Sequence, residues 1–90
     1  MNQFNLWDLW DFSEVEVKRT DGEIHKGHLI CVDEGTEEYG EDGIIITIEN
    51  SNGIRGHMAR NIEHVIIYEA SQPVYKIIKE EGRWQKMTIM

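Results

Sequence analysis

Two dipeptides constrain this chain more than any other feature: Asp21-Gly22 and Asn52-Gly53 each lie between segments whose apolar residues recur at every second position. A period of two marks a strand with one buried face, and Asp-Gly or Asn-Gly between two such runs is the turn chemistry of an antiparallel hairpin. Before the first turn, Val15 and Val17 face one way while Glu14, Glu16 and Lys18 face the other. After it, a strand from Ile24 to about Val32 carries Gly27 in its middle, where a bend or bulge is expected. IIITIE then places Ile44, Ile46 and Ile48 on one face, and Ile54 to Met58 returns. The segment ARNIEHVIIYE is expected to turn around Asn61-Ile62-Glu63 and to give a fifth strand, His64 to Glu69.

The flanks read differently. Asn5 is placed to cap a short helix over Leu6 to Phe12, with Asp8 in its first turn and Leu6, Leu9 and Trp10 at helical spacing. DEGTEEYGEDG, Asp33 to Gly43, has six carboxylates and three glycines in eleven residues and reads as loop. Ser71-Gln72-Pro73 breaks the strand pattern. The tail PVYKIIKEEGRWQKMTIM alternates on both sides of Glu81-Gly82, as a second hairpin would, with a helix over Pro73 to Glu81 as the open alternative. Short strands joined by tight turns predict a mostly β fold, a small and strongly bent antiparallel barrel. Ninety residues, 40% of them hydrophobic and only one a proline, suit a single globular domain, 1–90.

Charge limits the partners. A formal net charge of −8 opposes attraction to nucleic acid or to an anionic membrane and favours a basic partner. Cys31 is the only cysteine, so no disulfide forms within the chain; a buried thiol in a reducing, cytoplasmic setting is expected. No apolar run approaches the roughly 20 residues of a membrane span. The N-terminal MNQFNLWDLWDF has two Asp and no basic residue, unlike a signal peptide.

VEVKRTDGEIHKGHLICVD, Val15 to Asp33, resembles the first motif of the Sm and Lsm family without a gap. The matching residues are Val15 and Val17, Asp21-Gly22, Gly27-His28-Leu29, and Cys31, Val32 and Asp33. Ile54-Arg55-Gly56 resembles the second motif, and the likeness extends to about Tyr68. It implies an Sm-like, SH3-type barrel of five strands over 14–69; the short N-terminal helix suits the family, and the hairpin read in the tail makes a C-terminal extension over 73–90. It also implies subunits that pair edge strands into rings, and hence a homo-oligomer. The chain departs from the family at the uridine pocket. An aromatic or His two residues after the Asp is replaced by Gly35, and an Asn two further on by Glu37. Placing the turn at ARNIEHV moves Arg55 onto the fourth strand, away from the pocket corner. In DGE, in GIIITIENSNGIRGHMARNIEHV, in length and in charge, the chain also resembles the Rho-binding antiterminator proteins, small acidic Sm-like bacterial domains. That likeness implies an inhibitor working through a protein surface normally reserved for nucleic acid.

Four sets of residues are candidate sites. Asp33, Glu34, Glu37, Glu38, Glu41 and Asp42 form either a solvated loop or an acidic docking surface for a basic, nucleic-acid-handling protein. Arg55, Gly56 and Arg60 are the residues through which residual RNA binding would act. Trp7 and Trp10 pack on the core or form a subunit contact, because aromatics are enriched at interfaces. His25, His28 and Cys31 have spacing that invites a metal, but residues three apart on an unbent strand point to opposite faces, so no metal site is expected. The acidic segment lacks the D-x-D-x-D-G spacing that wraps Ca²⁺. No nucleophile or phosphate loop accompanies Glu37 and Glu38, so neither catalysis nor a cofactor is expected. The functional expectation is a non-enzymatic, self-associating interaction module acting on a protein partner. An acidic mimic occupying a basic groove is the alternative.

Overall fold

The computed structural model describes residues 2–35 and 37–89, the side chain of Glu37 excepted. Its strands are β1 (Asn2–Gln3), β2 (Glu14–Arg19), β3 (Ile24–Glu34), β4 (Ile44–Asn50), β5 (Gly53–Met58), β6 (Ile62–Glu69), β7 (Gln72–Glu80) and β8 (Arg83–Thr88). They form one antiparallel sheet in the order β1-β8-β7-β6-β2-β3-β4-β5. No helix among the described residues is long and apolar enough to cross a membrane.

Alternation in β2 puts Val15 and Val17 in the core, opposite Gly27 and His25 of β3 and Ile67 and Val65 of β6. β3 is the longest strand; its first half pairs with β2 and its second with β4. Gly27 sits where this change of partner occurs. A Cβ there would stand 2.3 Å from the Glu49 carbonyl oxygen, so only glycine lets β4 approach. The register slips between Leu29 and Cys31. Leu29 and Val32 therefore face the core, whereas Cys31 is half-buried rather than buried as expected.

Leu6–Asp11 is a 3₁₀ helix, capped by the Asn5 side chain accepting from the Trp7 N–H at 3.0 Å. Three residues per turn line up Leu6 with Leu9, both buried, and Trp7 with Trp10 on a neighbouring stripe. Asp33 and Glu34 extend β3 instead of starting a loop, and Glu37–Gly43 is helical with a kink at Gly40. Composition hid this because carboxylates and glycines are read as loop formers wherever they cluster.

The break expected at Ser71-Gln72-Pro73 is instead a tight hairpin. Ala70 and Ser71 both have positive φ, and Glu69 pairs directly with Gln72. Neither residue is the Gly, Asn or Asp that normally marks such a turn, so the sequence carries no signal for it. Pro73 enters β7 where the register shifts between Ile67 and Tyr68, a place where a missing N–H costs little. The tail is the hairpin β7–β8, turning at Glu81-Gly82. Ile77 and Trp84 from it are fully buried in the common core, so β7 and β8 share that core with β2 to β6. The turn before β6 occupies Ala59–Asn61, two residues earlier than expected, and Ile62 already lies in the strand.

Candidate functional site

The acidic segment and the N-terminal helix meet. Trp7, Glu34, Gly40, Glu41 and Ile44 line a shallow groove of about 170 Å³. Trp7 is 38% exposed and Trp10, one 3₁₀ turn on, is 51% exposed. Both are held outward because Leu6 and Leu9 take the buried stripe of the same helix. An indole face beside two carboxylates is complementary to an ammonium or guanidinium group, which gains from the ring quadrupole and from the opposite charge together.

The six carboxylates have different surroundings. Glu34, Glu38 and Glu41 are exposed. Asp42 is paired with Lys79 of β7, which pins the helical segment to the sheet. Asp33 accepts the Cys31 thiol proton at 3.0 Å and pushes that thiol above its usual range, so Cys31 is not an activated nucleophile. The side chain of Glu37 lies outside the described atoms. Arg60, in the turn before β6, lies over the Tyr39 ring at 4.4 Å and joins this end of the molecule.

Arg55, Gly56 and Arg60 do not form one site. Arg55 is near the start of β5 and pairs with Glu23 at 3.5 Å, Gly56 packs against Ile45, and Arg60 lies beyond the far end of the strand. His25, His28 and Cys31 are separated in the same way: His25 contacts Glu23 at 3.0 Å, His28 is exposed and Cys31 is engaged by Asp33.

A second cluster, unmarked by any motif, lies where the β2–β3 and β4–β5 turns approach each other. His57 is the only buried polar or charged residue among those described, at 0% exposure. Its ring lies 4.7 Å from that of His25 and its Nδ1 is 3.2 Å from Nη1 of Arg19. A guanidinium can only donate, so Nδ1 accepts and the imidazole proton resides on Nε2. That N–H is buried without an acceptor, a cost of about 1–3 kcal/mol. Burial, and then the neighbouring His25, Arg19 and Arg55, push the His57 pKa down to about 4 against a weaker opposing effect of Glu23. Asp21 fixes the surrounding turn: it accepts the Glu23 N–H at 3.0 Å and binds Arg19 at 3.1 Å, which together lower its own pKa. The period of two sets His57 with Gly53 and Arg55, opposite the apolar Ile54 and Met58, so neither its inward position nor its contact with Arg19, 38 residues away, was legible.

A further cleft, of about 400 Å³, lies between Asp11–Glu14 and Tyr68–Ser71 and is open to solvent. Among the described residues, no three His, Cys, Asp or Glu side chains are grouped as a metal would require. No family model, curated protein or solved structure matches the chain.

Proposed function

We propose that this chain is a non-enzymatic Sm-like interaction module whose groove beside Trp7 takes a basic segment of a protein partner. The observation that carries the reading is an exposed indole that lines one groove with Glu34 and Glu41 on a chain of net charge −8. The Sm-like part is supported by the contiguity of β2 to β6, the strands of the matched segment, within the sheet. Occupying the basic groove of a nucleic-acid-handling protein is the same chemistry on a larger scale, with Glu38 extending the acidic face. Capture from a lysate at low ionic strength, with the native chain compared against Trp7→Ala combined with Glu41→Gln, tests it. Basic proteins held by the native chain should be lost from the variant and released by salt; an unchanged set would refute the reading.

Self-association is a second reading, favoured by β5. This strand ends the sheet, and Ile54 on it is 65% exposed. The other edge of the β2–β6 segment is already covered, since β7 pairs along β6. A ring joining β5 of one copy to β6 of the next is therefore blocked, whereas two copies can join β5 to β5 about a twofold axis. Light scattering should report a dimer at high concentration, and a strict monomer would refute it.

A further inference from the structure

We infer that the cleft between the β2–β3 and β4–β5 turns binds a single oxyanion group, a carboxylate or phosphate, held by Arg55, His25 and His57. His25, Ile48, Asn50, Asn52, Gly53, Arg55 and His57 enclose about 170 Å³, enough for one such group with water. This site is separate from the acidic groove and does not depend on the reading given to it.

Three observations converge. First, the His57 Nε2–H is fully buried, lacks an acceptor and belongs to a residue that lines the cleft, so the site presents a fixed donor with nothing to donate to. The Arg19 contact at Nδ1 prevents the ring from offering an acceptor there instead. Second, two guanidinium groups of an otherwise acidic molecule gather here: Arg55 lines the cleft and Arg19 holds His57 at Nδ1, with Glu23 and Asp21 as their carboxylate partners. Third, the cleft mouth already shows which group takes up its donors. A single oxygen of Glu23 lies 3.0 Å from His25 Nε2 and 3.5 Å from Arg55 Nη1. Glu23 is half exposed and reaches from the adjoining turn, so it can move aside for a free oxyanion that uses the same two donors and also reaches His57. Asn50 stands apart from this exchange because its amide already bonds the Lys26 carbonyl and the Asn52 N–H.

Glu23 is thus a tethered competitor, and removing its charge should improve binding. The His57 ring nitrogens are followed by two-dimensional NMR while inorganic phosphate, and separately acetate, is added at constant ionic strength. A saturable shift of Nε2 with either anion, at least threefold tighter in Glu23→Gln and abolished in Arg55→Gln, is the expected result. No saturable shift in either the native chain or Glu23→Gln, or the same shift in Arg55→Gln, would overturn the assignment and leave a water-filled cleft.

Discussion

Gly27→Ala should destabilise the fold by about 3 kcal/mol, toward the upper end of the cost of overpacking a tight site. The added methyl meets the Glu49 carbonyl oxygen at 2.3 Å, and that oxygen belongs to the β4 backbone, which cannot rotate away as a side chain can. To admit it, β3 and β4 must separate where β3 changes partner, disturbing the ladders that place His28 opposite both Glu14 and Glu49. Gly56→Ala is the internal comparison. Its methyl would meet Ile45 Cγ2 at 2.9 Å, a side-chain atom that can give, so about 1 kcal/mol is expected. Urea unfolding measures both. Equal midpoints for the two variants would show that β3 does not need the close approach at Gly27.

The second large effect is on pH. His57 titrates near 4 in the folded chain and near its ordinary 6.5 once unfolded, so the unfolded state binds the proton more readily. Stability is complete above about pH 6.5 and declines as pH falls toward 4, by about 3 kcal/mol across that window. His64, lowered mainly by burial and then by Lys76, acts in the same direction. Asp21 is lowered as a carboxylate, so its contribution is lost only below its ordinary 3.8 and does not enter this range. The physical source is burial first, which strips a protonated His57 of water, and then the neighbouring His25, Arg19 and Arg55, with Glu23 opposing more weakly. Denaturant midpoints measured from pH 7 to pH 4.5 should fall in the native chain and fall much less in His57→Gln. Parallel declines in the two proteins would remove His57 as the cause.

These effects arise from contacts that the sequence marks unequally. Period-two alternation and the Asp-Gly and Asn-Gly turns made β2 to β5 legible, because each signal acts over a few neighbouring residues. Gly27 was readable as a bend, though not the Glu49 carbonyl that requires it. The Ala70-Ser71 turn was hidden because positive φ is imposed there by the β6–β7 pairing and not by residue type. The helical form of Glu37–Gly43 goes with contacts distant in sequence, the Ala59–Asn61 turn it packs against and the Asp42–Lys79 pair across 37 positions. Of the groove, Trp7, Glu34 and Glu41 were each noticed, but in separate sets. Only the fold shows that an exposed face of the N-terminal helix and the end of β3 line one surface. The cluster around His57 was missed as a cluster, since Arg19, His25, Arg55 and His57 come from three strands, β2, β3 and β5, and share no motif.

The groove beside Trp7 is the centre of the functional account, and the indole N–H signals of Trp7, Trp10 and Trp84 report on it separately. Titrating a short arginine- and lysine-rich peptide into the isotope-labelled chain at low ionic strength should move the Trp7 signal saturably. The buried Trp84 signal should stay in place, Glu34→Gln with Glu41→Gln should weaken the response about tenfold, and a glutamate-rich peptide should produce none. An unmoved Trp7 signal, or the same response in the doubly neutralised variant, would contradict the groove as a site for basic partners.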